Sequence, residues 1–290
     1  MAPPSESPSV TARDDVYAAI SPEPHFVNQT FKGKVVFVAR ASRGIGQEIA
    51  ITYAKASAIV VITGRKQETL DAARASISSL VPHATMLAIP VDVTRTEQVE
   101  AAVKATVEKF GKLDICIANA GAIESFDKLI AEQDPEVWWG ILEVNIRGVY
   151  NLAHAALPHL SQTKGYFFAV SSAAAQIRLP KISAYGLSKH AGIRLVEFIA
   201  LVEYPDVKTF AFHPGLIKTE LSATNPDYLP RSYDSVRLPA ATALYLSAGK
   251  ADWLSGRFVA ATWNLEELER DWKDKIIESQ ALVNRLAIPV

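Results

Sequence analysis

Short runs of β-branched and other apolar residues alternate along the chain with longer stretches of helical periodicity. The apolar runs predict strands at 35–39, 59–63, 86–91, 113–118, 166–170, 207–212 and 257–261. Helical patterns lie between or after them at 44–56, 66–81, 95–110, 135–160, 183–203 and 264–286. Strands and helices that alternate at this spacing are typical of right-handed βαβ units. The pattern therefore predicts an α/β protein, with a doubly wound parallel sheet that carries helices on both faces.

A single domain is predicted after an N-terminal arm. Residues 1–30 contain five prolines among small and polar residues, without a sustained period, and predict an irregular arm whose apolar side chains pack on the domain. Residues 31–290 contain no internal boundary and no short-period repeat. The polar stretch 222–238 is predicted to be an insertion over one end of the sheet. Ligands of such sheets bind outside the carboxyl ends of the strands, so the residues just after strands are the functional candidates.

Composition narrows the partners and the location. Hydrophobic residues make up 49% and charged residues 21% of the 290 residues, as in folded globular proteins. The net charge is −1, and no basic stripe is present that would bind nucleic acid. No apolar run approaches the ~20 residues of a membrane span, and the N-terminus lacks a signal-peptide pattern. Cys116, the one cysteine, lies in an apolar run and predicts a core thiol, so we expect a cytoplasmic protein.

A turn suited to phosphate follows the first predicted strand. Residues 39–46 are Ala-Arg-Ala-Ser-Arg-Gly-Ile-Gly and lead into a helix, so backbone N–H groups, Ser42 and Arg43 are candidates for an anion site. Arg65 follows the second strand, where an NAD-binding fold carries a carboxylate for the ribose hydroxyls. Arg43 and Arg65 would instead pair with a ribose 2′-phosphate, which favours NADP(H) over NAD(H). In the alternative interpretation, the turn is an ordinary strand-to-helix turn and Arg65 is a solvated loop residue.

A second cluster of candidate residues follows the fifth predicted strand. Tyr185 and Lys189 stand four residues apart on one helix face, where the ammonium would lower the pKa of the phenol from ~10 toward the working pH. Ser172 lies at the end of the strand and could hold a carbonyl oxygen beside the phenol. No Gly-x-Ser-x-Gly surrounds this serine, which argues against hydrolase chemistry. The alternative is a packing tyrosine beside a solvated lysine.

Several motifs in a fixed order resemble those of the short-chain dehydrogenases/reductases, over residues 32–262. They are the glycine-rich turn in part, Asp92, Asn119-Ala120-Gly121, Asn145, Ser172, Tyr185-x-x-x-Lys189 and Pro214 to Thr219. The resemblance implies a single Rossmann domain and assembly as a homodimer or homotetramer. It also implies that the stretch 222–238 is a variable substrate lid.

The resemblance implies a role for each matching residue. Tyr185 would exchange a proton with the substrate oxygen, and Ser172 would orient that oxygen. Lys189 would bind the nicotinamide ribose and lower the pKa of Tyr185, while Asn145 would hold a water linked to Lys189. Further cofactor contacts are expected from Ile45, Asp92, Asn119, Arg147, Ile217 and Thr219.

The sequence departs from the family at the first glycine of the turn. Family members have Thr-Gly where this chain has Ala39-Arg40. If the turn requires a glycine-only conformation, Arg40 adds strain on the order of 1–3 kcal/mol and would weaken cofactor binding. Alternatively, Arg40 turns outward or adds a contact to a phosphate. Ser57, where many members have glycine, and Ala118, where many have asparagine, are milder departures.

Three functional hypotheses follow. The leading one is an NADP(H)-dependent oxidoreductase that interconverts a ketone and a secondary alcohol on a small apolar molecule, since the lid region is rich in Leu, Tyr and Pro. The second is a protein that keeps the fold but binds cofactor weakly and acts as a binding or scaffold protein. The third is non-redox chemistry such as isomerisation or cyclisation. The six histidines show no metal-ligand spacing, so no metal is expected.

Overall fold

Seven parallel strands form one sheet in the computed structural model, which describes residues 7–223 and 233–286. The strands are β1 Val35–Val38, β2 Ile59–Gly64, β3 Met86–Pro90, β4 Ile115–Ala118, β5 Tyr166–Val170, β6 Lys208–His213 and β7 Arg257–Ala260. Their order across the sheet is β3-β2-β1-β4-β5-β6-β7. The predicted α/β class and the Rossmann-like, doubly wound sheet are confirmed.

The central strands are apolar throughout because helices cover both faces of the sheet. Every residue of β1 and β4 is at most 1% exposed, and Cys116 in β4 is a buried thiol as predicted. Val36 pairs with Ile115 in parallel register. The chain order of the strands reverses between β1 and β4, so a crevice opens at their carboxyl ends. The loops at these ends hold the candidate residues.

Ten α-helices accompany the sheet in the described part of the chain. They are α1 Glu23–Val27, α2 Gly44–Lys55, α3 Gln67–Leu80, α4 Thr96–Phe110, α5 Pro135–Leu142, α6 Gly148–Thr163, α7 Ser183–Phe198, α8 Glu220–Ala223, α9 Arg237–Leu246 and α10 Leu265–Glu278. α2 packs against α3 and α9, and α4 packs against α6. No described helix is both long and apolar enough to cross a membrane.

Two of the predicted helices are interrupted or extended by π-helical turns. The helix predicted at 135–160 is α5 and α6 joined by a π turn at Glu143–Arg147, and α7 continues into a π turn at Ile199–Glu203. A π turn adds one residue to the helical repeat and thereby re-aims the side chains that follow. The helix predicted at 264–286 ends earlier, at Glu278.

The N-terminal arm is more ordered than the sequence predicted. It contains a 3₁₀ turn at Ala18–Ile20 and the short helix α1, so the expectation of an irregular arm is wrong for these residues. Ala12 forms an antiparallel bridge with Trp263, next to the end of β7. Ile20 is only 2% exposed and belongs to the main hydrophobic core.

The expected lid at 222–238 falls largely outside the described residues. Residues 224–232 are not described, and the flanking residues belong to α8 and to the segment leading into α9. The described part of this stretch that faces the crevice includes Tyr233.

Candidate active site

The turn that follows β1 places an arginine inside the crevice. Arg40 has a φ of +51°, in the left-handed region that costs a non-glycine residue about 1–2 kcal/mol. The amides on either side of Arg40 donate to the carbonyls of Ile117 and Thr63, at 2.9 and 2.8 Å, and so fix the turn between two strands. The Arg40 guanidinium donates a hydrogen bond to the carbonyl of Gly121 on the opposite wall. Arg40 therefore points into the crevice, not outward.

Gly46 and Asn119 clamp the turn against the end of β4. Asn119 Nδ2 donates to the carbonyls of Ala39 and Arg40, at 3.3 and 3.1 Å. A Cβ on Gly46 would stand 2.5 Å from the Arg40 carbonyl oxygen and 2.6 Å from Asn119 Nδ2. Only glycine fits at this position, because the first turn of α2 approaches the strand ends so closely.

Two cavities lie along the crevice. The first, here called the arginine cavity, has a volume of about 440 Å³ and is lined by residues that include Arg40, Ser42, Arg43, Arg65, Asp92 and Gly121. The second, the tyrosine cavity, has a volume of about 580 Å³. Its lining includes Arg40, Ile45, Asn119, Ser172, Tyr185, Lys189, Ile217 and Thr219. The sequence candidates thus separate into a phosphate-suited end and a chemical end, as their order along the strands implied.

The arginine cavity is rich in cationic side chains and holds one partly buried carboxylate. Arg43 pairs with Glu220 at 2.6 Å on the exposed rim, and Arg65 is exposed beside the cavity. The Asp92 carboxylate accepts hydrogen bonds from the backbone N–H and hydroxyl of Thr94, at 3.0 and 2.8 Å. Burial raises the pKa of Asp92, but the Thr94 hydrogen bonds and nearby Arg65 outweigh it and hold the pKa below its usual range.

The tyrosine cavity brings the three chemical candidates together. Ser172 is the second residue after β5, and its Oγ accepts a hydrogen bond from the N–H of Ala174. The Tyr185 hydroxyl hydrogen-bonds to Ser172. The Lys189 ammonium lies 5.7 Å from the centre of the Tyr185 ring and donates to the carbonyl of Val170 at 2.7 Å. A phenol, a hydroxyl and an ammonium therefore converge on one face of the cavity.

The expected lowering of the pKa of Tyr185 by Lys189 is wrong for this structure. Burial raises the pKa of Tyr185, and the charge of Glu124 adds to the rise, while the hydrogen bond with Ser172 opposes it. Burial also lowers the pKa of Lys189 to about 8, with a further contribution from the positive charge of Arg40. The reason is geometric, because the Lys189 ammonium is directed at the carbonyl of Val170.

Asn145 is buried in the π turn between α5 and α6 and supports α7, the helix that carries Tyr185. Its Oδ1 accepts the N–H of Ala122 at 2.8 Å, and its Nδ2 donates to the Ala122 carbonyl and to Ser188 Oγ, both at 2.9 Å. Ser188 in turn donates to the carbonyl of Tyr185 at 2.8 Å. These bonds use the side chain of Asn145 to tie the loop after β4 to α7.

Thr219 lies in the wall of the tyrosine cavity beside the glycine turn, whereas Arg147 lies outside both cavities. The methyl group of Thr219 would contact a Cβ on Gly44 at 3.5 Å, which places the segment after β6 against the glycine turn. Arg147 lines neither cavity and pairs with Glu143 at 3.0 Å on an exposed helix face. The structure therefore does not bring Arg147 together with the other candidates, and its contact with the cofactor stays a prediction.

The sequence analysis gave no role to His213 in the wall of the tyrosine cavity or to Glu124, which contacts the start of α7. Glu124 is 4% exposed, and its carboxylate accepts the N–H groups of Ala184 at 2.8 Å and Tyr185 at 3.1 Å. It thereby caps the first turn of α7. Burial lowers the pKa of His213 to about 4, so this ring is neutral at pH 7. His213 Nδ1 and Tyr233 Oη are buried without a hydrogen-bond partner in the described structure. A buried acid within a loop carries no sequence signature, so no pattern could have revealed Glu124.

A nicotinamide dinucleotide fits the residues of the crevice in most respects. The close glycine contact at Gly46 and the start of α2 supply a backbone cradle of the kind that pyrophosphate occupies. The cationic cavity suits the adenosine phosphate end, and the tyrosine cavity suits the nicotinamide end. The hydrogen bond from Arg40 to Gly121 departs from an open dinucleotide cleft, because it joins the two walls of the crevice.

Comparisons with known proteins agree with this geometry. The family model for short chain dehydrogenases matches residues 34–228. The chain is 33% identical over 284 residues to the short chain dehydrogenase pigC of Monascus ruber, covering 94% of this chain and 91% of that protein. It is 36% identical over 265 residues to the short chain dehydrogenase mpl6 of Monascus purpureus, covering 88% and 89% respectively.

A solved structure extends the similarity to three dimensions. The crystal structure of the KRED1-Pglu enzyme superposes with a TM-score of 0.69 and 29% sequence identity, and the match covers 78% of this chain and all of that one. Sequence, fold and crevice thus lead to one conclusion. The chain belongs to the short-chain dehydrogenase/reductase family, whose members are oxidoreductases that use a nicotinamide cofactor.

Proposed function

We propose that this protein is an NADP(H)-dependent oxidoreductase that interconverts a ketone and a secondary alcohol on a small apolar molecule. The observation that carries the proposal is the convergence of Ser172, Tyr185 and Lys189 on one face of the tyrosine cavity. A carbonyl oxygen placed there meets a hydroxyl that orients it and a phenol that exchanges a proton with it. The bound cofactor supplies the hydride.

The protonation states support proton transfer from the phenol. Because burial raises the pKa of Tyr185, the phenol carries its proton at neutral pH and can donate it to a carbonyl oxygen. The Lys189 ammonium, with a pKa of about 8, is mostly charged at pH 7 and lines the same cavity, where it can donate hydrogen bonds to a bound ligand. Asn145 and Ser188 hold α7 in register for this task, through the hydrogen bonds described above.

The arginine cavity supports NADP(H) over NAD(H). Arg65 stands after β2, where a carboxylate would otherwise bind ribose hydroxyls, and Arg43 lines the same cavity. The Asp92 carboxylate accepts two hydrogen bonds from Thr94, and its single negative charge does not neutralise both Arg43 and Arg65. A 2′-phosphate between two guanidinium groups forms charge-assisted hydrogen bonds that a ribose hydroxyl cannot form.

The walls of the tyrosine cavity support an apolar substrate. The side chains around the Ser172 and Tyr185 hydroxyls are largely aliphatic or aromatic, namely Phe126, Ile177, Leu179, Ile182, Leu216 and Leu221. His213 is neutral at pH 7 and adds no charge to this wall. Apolar walls with a few polar groups bind a molecule whose carbonyl is its main polar feature.

A titration and a substrate panel test this function. We expect NADPH to bind in the micromolar range and NADH at least tenfold more weakly, followed by nicotinamide fluorescence. With NADPH present, a panel of cyclic and aryl ketones should be reduced, and sugar phosphates should not. Failure of both nucleotides to bind, or reduction of charged substrates only, would contradict the proposal.

A second candidate function is a binding or scaffold protein with impaired cofactor binding. The observation that favours it is the hydrogen bond from Arg40 to Gly121 across the crevice. The same titration separates the two, because this candidate requires weak binding of both nucleotides by the unchanged chain. We favour the enzyme, because Ser172, Tyr185 and Lys189 are all present and all line the tyrosine cavity.

We also propose that the protein works in the cytoplasm as a homodimer or homotetramer. Val137, Trp139 and Tyr150 on α5 and α6 are 57%, 59% and 53% exposed, which supports contact between these helices of two subunits. Light scattering after size-exclusion chromatography should give two or four times the 31.5 kDa mass of one chain. A mass of one chain at micromolar concentration would contradict this part of the proposal.

A further inference from the structure

A single side chain joins the two walls of the crevice. Arg40 leaves the turn after β1 and donates a hydrogen bond to the carbonyl of Gly121 in the loop after β4. These two loops lie at the point where the strand order reverses, which is where ligands of such sheets bind. We call this contact the Arg40 bridge.

The Arg40 bridge stands between the arginine cavity and the tyrosine cavity. Both cavities have Arg40 and Gly121 in their walls, so the two residues form part of the boundary that separates them. A dinucleotide whose phosphates lie in one cavity and whose nicotinamide lies beside Tyr185 has to extend through both. The bridge therefore lies across its path.

The far end of the bridge adjoins the chemical groups. A Cβ on Gly121 would stand 3.4 Å from Lys189 Nζ and 3.6 Å from Asn145 Oδ1. The Arg40 guanidinium thus reaches from the glycine turn to the immediate surroundings of the lysine. A ligand that displaced this guanidinium would gain access to the Lys189 ammonium and to the Tyr185 phenol.

The surroundings of Arg40 hold its backbone but only weakly hold its guanidinium. Its carbonyl accepts from Asn119 Nδ2 at 3.1 Å, and its N-terminal and C-terminal neighbours are bonded to strands on both sides. The guanidinium, in contrast, is bonded to a neutral carbonyl and stands near the like charges of Arg43 and Arg65, whose effects exceed that of the opposite charge of Glu220. The side chain can therefore move while the turn stays in place.

We propose that Arg40 is a gate in the cofactor cleft, whose bridge to Gly121 shuts the passage between the arginine cavity and the tyrosine cavity and opens when a dinucleotide binds. This inference rests on the proposed function, because it assumes that a nicotinamide dinucleotide is the ligand. The opening step lowers the affinity for the whole dinucleotide. It leaves the affinity for a fragment that fills only the arginine cavity almost unchanged.

Two ligands of different length test the gate. Adenosine 2′,5′-bisphosphate carries the phosphate end alone, and NADPH carries both ends. Their dissociation constants are measured by calorimetry with the unchanged protein and with Arg40→Gly. The matched control is Ser57→Gly, because Ser57 also has a positive φ, of 69°, but lines neither cavity.

With Arg40→Gly, we expect the dissociation constant of NADPH to fall about tenfold and that of the fragment to stay the same, so the ratio of the fragment constant to the NADPH constant rises about tenfold. A change of this size corresponds to the loss of one hydrogen bond that involves a charged group. Ser57→Gly should leave this ratio unchanged. Equal weakening of both ligands by Arg40→Gly would show that Arg40 holds a phosphate instead, and would overturn the gate. An unchanged ratio would overturn it as well.

Hydrogen exchange of the ligand-free protein tests the bridge without any cofactor. The Ala122 amide is bonded to Asn145 in the loop that the bridge restrains. We expect amides in residues 119–123 to exchange several times faster in Arg40→Gly than in the unchanged protein or in Ser57→Gly. Unchanged exchange there would overturn the gate. Failure of NADPH to bind either protein, together with faster exchange, would instead refute the proposed function and leave the bridge supported.

Discussion

The two ends of the crevice are built in different ways. At the tyrosine cavity, Lys189 is buried and donates to the carbonyl of Val170, and the neighbouring Asn145 is buried and bonded to the backbone of Ala122. At the arginine cavity, Arg43 and Arg65 are exposed, and Arg43 forms an ion pair with the exposed Glu220. On the proposed function, we expect the buried end to fix the geometry of the reaction and the exposed end to select the nucleotide.

Removal of the phenol oxygen is expected to break the chemical end and spare the other. Tyr185→Phe should lower kcat/KM about a thousandfold, because it removes the group that exchanges a proton with the substrate. The dissociation constant of NADPH, measured by nicotinamide fluorescence, should change less than threefold. Turnover within tenfold of the unchanged enzyme would show that Tyr185 is not the acid or base.

Removal of one arginine is expected to act only at the exposed end. Arg65→Ala should weaken NADPH about tenfold and NADH less than twofold, since only NADPH carries the phosphate that the guanidinium pairs with. Titration of the two nucleotides with the same variant measures the difference. Equal loss for both would mean that Arg65 is a solvated loop residue with no part in cofactor choice.

Glu124 offers a smaller and more selective change at the buried end. Glu124→Gln keeps an oxygen that accepts the N–H groups of Ala184 and Tyr185 but removes the negative charge that raises the pKa of Tyr185. The pKa of Tyr185 should then fall. Alcohol oxidation needs the phenolate, so the rising limb of its pH–rate profile should move to lower pH. For ketone reduction at neutral pH, we expect kcat/KM to fall about fivefold, because Tyr185 is held less firmly.

The pH profile decides whether Glu124 acts through Tyr185. A uniform loss of activity across the pH range, with no displacement of the limb, would mean that the carboxylate only stabilises α7. A thermal melt of Glu124→Gln provides the control, since loss of a charged cap alone lowers the free energy of unfolding by about 1 kcal/mol.

The smallest effect is expected outside the crevice. Ser57 follows the end of α2 with a φ of +69°, and its N–H donates to the carbonyl of Ala54 at 2.9 Å. Ser57→Gly should raise the free energy of unfolding by about 0.5–1 kcal/mol because glycine adopts this conformation without strain. The control Ser79→Gly, in the exposed last turn of α3, should lower it. A melt in which both variants behave alike would refute the strain at Ser57.

The sequence predicted the sheet, the helices and most of the crevice, because parallel strands and motif spacing leave direct patterns. It did not predict the π turn around Asn145, since the apolar period continues through 135–160 with one residue added. Nor did it predict the side-chain directions that matter most. The inward turn of Arg40, the outward ion pair of Arg147 and the bond from Lys189 to Val170 each depend on neighbours far away in the chain.

The arm that precedes the first strand has a consequence for the order in which the protein can fold during synthesis. The N–H of Leu265 donates to the hydroxyl of Tyr17 at 2.7 Å, and Arg13 donates to the carbonyl of Thr262 at 2.8 Å. These partners emerge from the ribosome about 250 residues after the arm, on the order of tens of seconds later at typical rates of translation. Residues made early therefore stay undocked until the last strand and helix appear. During that interval, the arm is open to chaperones and proteases.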